Sequence, residues 1–351
     1  MDQSEFFFRI SPDRVLEAVE SEGFKTTGHC MALNALENRV YDVRLEEGNP
    51  VVIKFYRPGR WSRETILDEH RMLFALRDAE IPVCAPLVFD DGQTLHEAEN
   101  IFYAIWPRTG GRSPDELTNP EVDVLGRLLA RIHNAGAASP LKHRPTLDAE
   151  TYPMASLALI EERGFLPSSC AAAYREVVED VVRIYRERVA GVEQLPIHGD
   201  CHRGNLLRND EGWSFLDFDD MCIGPAVHDV WMLIPGRDAE AHSQRDRLVD
   251  AYQQFRTFDR GTFDLIEPLR AFRFIFYAGW IAKRWDDPAF PDAFPHFGTE
   301  QYWQDETGDL EDQLDLIESG EERVEHGQGG SERAEDEADG ELTNKDFFWD
   351  L

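Results

Sequence analysis

The sequence predicts an α+β protein in which a small N-terminal lobe with an antiparallel sheet precedes a larger, mainly helical lobe. Two observations lead to this prediction. Short apolar stretches typical of strands lie within the first part of the chain, at 40–45, 51–56 and 101–106. Stretches whose apolar residues recur with the period of an α-helix follow, near 121–134, 170–190, 244–256 and 265–285. With 351 residues, 42% of them hydrophobic, the chain can bury a core of this size.

Capping and turn residues bound the N-terminal elements. Ser11 is the predicted N-cap of a first helix, and Gly23 is predicted to end it. Turn-forming residues at 46–50 separate the first two strands, so these strands are expected to form a hairpin. Ser62 is the predicted N-cap of a second helix over 63–77.

The charge balance argues against two classes of function. The chain carries 36 Lys and Arg against 68 Asp and Glu, a net charge of −32. Such a protein repels phosphate backbones and anionic lipid, so we expect neither nucleic-acid binding nor membrane binding. The charge either attracts a cationic substrate or has no functional meaning.

Cysteine usage and the N-terminus predict a cytoplasmic protein. The 5 cysteines are widely spaced and form no CxxC pair, as expected for reduced thiols. The chain has no apolar run of about 18 residues that could span a membrane, and its first residues are acidic where a secretory signal is basic. No heptad run supports an obligate assembly, so a monomer is the default expectation.

The C-terminal segment differs from the rest in charge. Residues 304–351 carry 18 Asp or Glu and only 3 basic residues. Apart from its last residues, 319–351 holds almost no large apolar side chain, so it is predicted to be a disordered acidic tail. Its Phe347-Phe348-Trp349 end is either an exposed or self-docking apolar end or a short binding motif. The predicted division is an N-terminal lobe (1–105), a helical lobe (106–318) and this tail (319–351).

Two short motifs in the loop-rich stretch 196–219 carry the strongest functional signal. They read His198-Gly199-Asp200-Cys201-His202-Arg203-Gly204-Asn205 and Leu216-Asp217-Phe218-Asp219. Phosphoryl transfer from ATP needs one carboxylate that orients the proton of the attacking hydroxyl, and oxygen ligands for Mg²⁺. Asp200 suits the first task, and Asn205 and Asp217 suit the second.

The same chemistry requires a strand lysine for the nucleotide phosphates and a helical carboxylate that holds this lysine. Lys54 lies in the predicted strand 51–56, and its side chain points opposite to those of its apolar neighbours. On the following helix, Glu69 shares a face with apolar residues and points toward the sheet, whereas Glu64 points to solvent. We therefore expect Glu69 to hold Lys54.

These motifs together resemble the catalytic signature of the aminoglycoside phosphotransferase/choline kinase group, which has a protein-kinase-like fold. Other stretches are similar to a bacterial branch of this group that phosphorylates Ser or Thr in proteins. The stretches are 33–41, 52–58, 224–233 and 287–291. The resemblance covers residues 6–318 and leaves out the acidic tail.

The resemblance implies a role for each matching residue. Asp200 matches the proton acceptor. Asn205 and Asp217 match the Mg²⁺ ligands, and Asp217 counts as catalytic on this basis. Lys54 matches the lysine that binds the ATP phosphates, and Glu69 matches its partner.

The resemblance also implies two nucleotide-binding segments and a structural brace. Residues 34–39 match the loop that closes over the phosphates, with Ala35 standing where relatives have a serine. Residues 102–106 match the hinge whose backbone binds adenine, and Asp229 resembles the helix-start Asp that braces the catalytic loop. The candidate nucleotide contacts in these segments are Ala35, Glu37, Asn38, Phe102, Tyr103 and Ile105.

The expected function is therefore an ATP- and Mg²⁺-dependent kinase with a Ser/Thr protein substrate. A small hydroxylated metabolite, similar to an aminoglycoside or choline, is the alternative acceptor. A third hypothesis is a binding module that uses the fold without catalysis, but this would predict a missing essential residue, and each expected residue is present.

Other interpretations of the same residues carry less weight. His198, Cys201 and His202 could suggest zinc, but three ligands within five residues do not close a tetrahedral shell. Cys201 as a nucleophile would need a partner that the sequence does not indicate. Three arginines are expected on a solvated face rather than at a phosphate: Arg57, Arg60 and Arg63.

Overall fold

The computed structural model describes residues 7–8, 10–33, 35–210 and 212–320, and within them the chain forms two units. We call them the sheet unit and the helical unit. Of the described residues, the sheet unit comprises those up to Pro114 together with those in Asn134–Arg144 and Asn205–Met221, and the helical unit comprises Asp115–His133, Pro145–Gly204 and those from Cys222 to Gly320. Both units are thus assembled from separate stretches of the chain. The Phe347-Phe348-Trp349 end and nearly all of the predicted tail lie outside the described residues.

The sheet unit is built on a five-stranded antiparallel sheet with the strand order β1-β2-β3-β5-β4. A separate hairpin joins β7 to β8. The elements of the sheet unit are α1 (Pro12–Ser21), β1 (Thr26–Ala32), β2 (Arg39–Leu45), β3 (Val51–Phe55), α2 (Arg63–Asp78), β4 (His96–Ala98), β5 (Ile101–Pro107), β7 (Leu206–Asn209), β8 (Gly212–Phe215) and a 3₁₀ turn at Phe218–Asp220.

Local chemistry explains where these elements begin. The side chains of Ser11 and Ser62 accept hydrogen bonds from the first-turn backbone of α1 and α2, which confirms both predicted N-caps. The predicted hairpin of β2 and β3 is confirmed as well. Strand β1 is a strand that the sequence does not predict. The side chains of β1 are largely exposed, so it lacks the apolar alternation of a half-buried strand. Its pairing with β2 is also irregular near Gly28, which adopts a φ of 81°.

The two faces of the sheet bury different sets of side chains. On one face, Ile53, Phe55, Tyr103 and Ile105 pack with the apolar residues of α1. On the other face, Tyr56, Ala104 and Trp106 pack with Ile66 of α2 and with Leu95. Because side chains alternate along a strand, Lys54 lies on the second face, between β3 and α2.

The helical unit consists of helices and one short two-stranded sheet, β6 with β9. The four predicted helices are confirmed, with shifted ends. The elements are α3 (Asn119–Ala138, which ends in the sheet unit), a π-turn (Glu150–Met154), α4 (Ala155–Glu162), α5 (Ala171–Val189), β6 (Leu195–Ile197), a 3₁₀ turn (Arg203–Asn205, whose last residue is in the sheet unit), β9 (Cys222–Gly224), α6 (Val227–Leu233), α7 (Ala239–Tyr252), a 3₁₀ segment (Arg260–Leu265), α8 (Ile266–Lys283), α9 (Ala289–Ala293) and α10 (Glu300–Ser319).

Helix α10 was not predicted, although it is 20 residues long. Its sequence is strongly acidic, and this charge obscured the apolar positions. Trp303, Leu310 and Ile317 recur every seven residues and are fully buried. The helix packs on α5 and α8, so it belongs to the folded helical unit.

Within the described ranges, no helix is both long enough and apolar enough to cross a membrane.

Candidate active site

Lys54 lies at the centre of the charged cluster in the sheet unit. Its Nζ donates a hydrogen bond to Oδ1 of Asp217 at 3.1 Å and lies 3.4 Å from Oδ1 of Asp219. Burial opposes its charge, but Asp217, Asp219 and Glu69 outweigh burial and raise the pKa of Lys54 well above its ordinary value. The amine therefore stays protonated and remains a fixed positive charge.

Asp219 has the largest set of cationic and amide partners in this cluster. Its buried carboxylate accepts hydrogen bonds from Asn38 Nδ2 at 3.1 Å and from Arg60, besides facing Lys54. Its backbone carbonyl accepts a hydrogen bond from Arg144. Burial alone would raise the pKa of Asp219, but Lys54, Arg60 and Arg144 together hold it below its ordinary value.

Glu69 occupies the predicted face of α2, yet its partner differs from the prediction. Oε2 of Glu69 accepts a hydrogen bond from Arg144 Nη2 at 3.1 Å, and Arg144 Nε also bonds the carbonyl of Thr65. Among the described residues, the ion-pair partners of Lys54 are the two aspartates and not Glu69. Burial raises the pKa of Glu69 to about 7, while Lys54 and Arg144 act in the opposite direction.

The predicted phosphate loop is held by the arginines that were expected on a solvated face. Arg57 donates to the carbonyls of Glu37 at 2.9 Å and Leu36 at 2.8 Å. Arg60 pairs with Asp219 and Asp220 and lies 3.5 Å from the carboxylate of Glu37. The expectation of a solvated face is therefore wrong for Arg57 and Arg60, because both side chains are about 10% exposed. Arg63 agrees better with the expectation of a solvated face, because its side chain is 36% exposed.

Of the loop residues predicted to contact nucleotide, Asn38 is the most firmly positioned. It is buried, and besides bonding Asp219 its Oδ1 accepts a hydrogen bond from the backbone N–H of Arg57. Ala35 and Glu37 are half-buried on the same loop. Asn34 lies outside the described residues.

The predicted adenine-binding segment lies inside β5. The side chain of Phe102 is on the face of Lys54, whereas Tyr103 and Ile105 point into the core against α1. The carbonyls of Phe102 and Ile105 already accept hydrogen bonds from the backbone N–H groups of Tyr56 and Leu87. Only those backbone groups of β5 that make no hydrogen bond to a neighbouring segment could form hydrogen bonds with an adenine base.

Two oxygen donors lie at one end of the β7–β8 hairpin. Asn205 directly precedes β7, and its carbonyl accepts a hydrogen bond from Leu216 N, next to Asp217. Asp217 adopts a φ of 53°, in the left-handed region that Asp tolerates, and its side chain is 55% exposed. This backbone contact brings Asn205 and Asp217 to the same end of the hairpin, and Asn and Asp are residue types whose oxygens suit a hard divalent cation.

Asp200 lies in the helical unit, after β6. Its Oδ1 is 2.8 Å from Arg273 Nη1 on α8, and its Oδ2 is 3.3 Å from His202 Nε2. Burial would raise the pKa of Asp200, but Arg273, His202 and His198 hold it far below its ordinary value. The carboxylate is therefore ionised and can accept a hydrogen bond from a hydroxyl group.

Asp229 fixes the backbone on which Asp200 stands. Its buried carboxylate accepts hydrogen bonds from the N–H groups of His198 at 2.7 Å and Gly199 at 3.0 Å. His133 Nε2 lies 3.0 Å from the same carboxylate. The structure thus shows the bracing contact that the resemblance implied for Asp229.

The two histidines and the cysteine of this motif have structural contacts. His198 Nδ1 accepts a hydrogen bond from Asp200 N, and His202 Nδ1 accepts one from Gly204 N. Cys201 is buried, and burial raises the pKa of its thiol well above the ordinary value. A thiol in this state is a poor nucleophile.

Sequence reasoning assigned no site role to Arg144, Arg60 or Arg273, although they lie against the predicted site residues Glu69, Glu37 and Asp200, respectively. Arg144 and Arg273 are remote in sequence from the carboxylates they contact. Arg60 carried a usable signal, because an arginine close to the end of the lysine strand was already considered as a phosphate contact.

The fold and these charged clusters define a phosphotransferase with a protein-kinase-like fold. The chain belongs to the phosphotransferase enzyme family (APH), whose match covers residues 30–266.

Two curated relatives of this chain are kinases. The chain is 37% identical over 322 residues to "Stress response kinase A" of Escherichia coli O157:H7, covering 90% of this chain and 97% of the relative. It is 36% identical over 319 residues to "Serine/threonine protein kinase RdoA" of Salmonella typhimurium LT2, with the same coverage. The protein is therefore an ATP-dependent kinase.

Solved structures support the fold. An amicoumacin kinase, hAmiN, in complex with AMP-PNP, Ca²⁺ and Ami has a TM-score of 0.68 at 17% identity, covering 91% of this chain and 96% of that one. A microcompartment-associated aminopropanol kinase has a TM-score of 0.63 at 18% identity, covering 86% and 96%. At these identities, the similarity concerns the fold alone.

Proposed function

We propose that the protein is a Mg²⁺-dependent Ser/Thr protein kinase that transfers the γ-phosphate of ATP to a hydroxyl group. The observation that carries this proposal is the 37% identity to a stress response kinase over nearly the whole of both chains. A second relative with the same coverage is named a serine/threonine protein kinase. The acidic and amide side chains described above are of the types that such a transfer uses, which supports the proposal.

Each site residue has a proposed role. Asp200 orients the acceptor hydroxyl and takes its proton, Lys54 binds the phosphates, and Asn205 and Asp217 hold Mg²⁺. Mg²⁺ would neutralise charge on the phosphates of ATP. In the transfer, the hydroxyl oxygen bonds to the γ-phosphorus while the bond from that phosphorus to the β–γ bridging oxygen breaks, and ADP leaves.

The segments around the nucleotide have supporting roles in this proposal. The backbone of the loop with Ala35, Glu37 and Asn38 covers the phosphates, and the backbone of the strand with Phe102, Tyr103 and Ile105 contacts adenine. Glu69 helps to order α2. We also propose the division of the chain at 105 and 318.

The remaining proposals concern the cellular setting. We propose that the enzyme acts as a monomer in the cytoplasm, in a response to stress. The free state of the cysteines in the described ranges and the names of the relatives support this setting. We expect no nucleic-acid or membrane partner, because the net charge of −32 repels both.

A small hydroxylated metabolite is the alternative acceptor. The observation that favours it is the fold similarity to kinases of small molecules, with TM-scores of 0.68 and 0.63. The strong negative charge would favour a cationic metabolite among these.

The test is incubation of the purified protein with γ-labelled ATP and Mg²⁺, alone and with an extract of its source cells. Asp200→Asn, which keeps the shape of the side chain and removes its charge, is the matched control. Label that enters protein with the wild type and not with the variant supports a protein kinase.

Two other results would redirect the assignment. ATP consumption that depends on the small-molecule fraction of the extract, without labelled protein, would move the function to a metabolite kinase. No transfer in any fraction, with ATP still bound, would contradict a catalytic role.

A further inference from the structure

We propose that Asp219, and not Glu69, is the carboxylate that holds Lys54 in position for the phosphates of ATP, since Glu69 is paired with Arg144. This inference rests on the proposed function, because it takes Lys54 as the phosphate-binding lysine. Asp219 is therefore a positioning residue, since it acts on the nucleotide through Lys54.

Asp219 is suited to this task because its carboxylate cannot move freely. Asp219 is 2% exposed, and the side chains of Asn38 and Arg60 both bind its carboxylate. Its backbone is fixed by Arg144, which donates to its carbonyl. A buried carboxylate with these partners presents Oδ1 to Lys54 at 3.4 Å, as an ion pair without a hydrogen bond.

Asp217 is the other partner of Lys54, but it is less suited to hold the lysine permanently. Its side chain is 55% exposed, and it is the proposed metal ligand. A carboxylate oxygen that ligates a cation is a weaker partner for an ammonium group, because the cation draws on the same negative charge. When Asp217 ligates a cation, the position of Lys54 would therefore depend on Asp219.

Glu69 is occupied elsewhere. Arg144 binds it at 3.1 Å and binds the carbonyl of Thr65 one turn earlier, so Arg144 fastens α2 to the segment that contains Asp219. The neighbouring Asp68 accepts hydrogen bonds from the backbone of Lys142 and His143, which secures the same helix to the same loop. The orientation of α2 thus comes from the 142–144 loop rather than from Lys54.

The arrangement also links the lysine to the phosphate loop. Asn38 donates to Asp219, and its own Oδ1 receives the backbone N–H of Arg57. Lys54 and the loop over the phosphates are therefore both held by Asp219. Removing the charge of Asp219 should loosen both at once, whereas removing the charge of Glu69 should loosen α2.

The test compares nucleotide affinity in matched variants of the full chain. Binding of AMP-PNP is measured by titration calorimetry with and without Mg²⁺, so the readout does not depend on the acceptor. Asp219→Asn is expected to weaken binding at least tenfold in both conditions, and Glu69→Gln less than threefold, with a lowered melting temperature. Asp220→Asn is the control, because it removes a neighbouring partner of Arg60 and leaves Lys54 its carboxylates.

Asp219→Asn leaves Arg60 buried with less counter-charge, so it could unfold. In that event, Arg60→Gln is compared with the double variant Arg60→Gln/Asp219→Asn, in which both charges are removed. A tenfold loss of affinity between these two supports the inference. Equal affinity, or a larger loss in Glu69→Gln than in Asp219→Asn, would overturn it while leaving the proposed function intact. A wild-type protein that does not bind AMP-PNP would overturn the proposed function and this inference together.

Discussion

Arg273 of α8 lies 2.8 Å from Oδ1 of Asp200, the proposed proton acceptor. His202 and His198 are the other groups that lower the pKa of Asp200, against the opposing effect of burial. An arginine stays charged at every pH used for enzymes, so Arg273 favours the ionised carboxylate throughout.

This contact predicts a change in pH dependence. Arg273→Gln removes the positive charge, so the pKa of Asp200 rises and the acidic limb of kcat/KM moves to higher pH. Arg273→Lys keeps the charge and should move the limb less. A pH profile of Arg273→Gln identical to that of the wild type would show that Arg273 does not tune Asp200.

Loss of the carboxylate itself should reduce the rate far more than it reduces nucleotide binding. Asp200→Asn is expected to lower kcat by roughly 10²–10⁴-fold, the usual contribution of a positioned acid or base. AMP-PNP affinity, measured by calorimetry, should change little because Asp200 is assigned to the acceptor. A rate within threefold of the wild type would contradict the role of Asp200.

Asp217→Ala should abolish transfer for a different reason. It removes a proposed metal ligand and the shorter of the two contacts of Lys54. The dependence of nucleotide affinity on Mg²⁺ should therefore disappear, as calorimetry at a series of Mg²⁺ concentrations would show. Full activity in a folded Asp217→Ala protein would remove the metal assignment.

Asp229→Ala should destabilise the helical unit by about 2–4 kcal/mol, because it leaves the buried N–H group of His198 and the half-buried N–H group of Gly199 without their acceptor. Burial opposes ionisation, but His133 and its neighbours keep the folded pKa of Asp229 below the ordinary value. Its stabilising effect is thus present above the unfolded pKa and is lost as pH falls through the folded pKa. Chemical denaturation at neutral and acidic pH should show the difference between wild type and variant shrinking in acid.

A pair of glycine substitutions tests the helix packing. A Cβ on Gly279 of α8 would lie 2.5 Å from Cβ of Ser156 on α4, so Gly279→Ala should cost about 1–3 kcal/mol of unfolding free energy. Gly308 of α10 has open space at the same position, and Gly308→Ala should stabilise the protein by about 0.5–1 kcal/mol. Equal effects in urea denaturation would contradict the close approach of α4 and α8.

The elements that the sequence predicted well were those with local signals. Ser11 and Ser62 cap their helices through side-chain bonds to residues three positions on, and such short-range chemistry is visible in the sequence. The strand that carries Lys54 was equally clear, because its apolar residues alternate with the lysine. Helix α10 was obscured because its buried residues are separated by many acidic ones.

The candidate site was less predictable because its contacts are long-range. The position of Glu69 on the inner face of α2 follows from helical periodicity, but its bond to Arg144 depends on how a distant loop returns to the helix. The segment 102–106 was predicted as an adenine hinge, and its place inside the sheet follows from pairing with β3 and β4, which the sequence does not specify. Its role in adenine binding stays a prediction, as do the roles of the other site residues.

The environment of Lys54 has a consequence for chemical labelling. Acylating reagents react with neutral amines, and the surrounding carboxylates keep this amine protonated. The lysines at 25, 142 and 283 are exposed, so they should acylate first, although the buried lysine is the one assigned to ATP. Mass spectrometry of the acylated protein should therefore find these exposed lysines modified before Lys54.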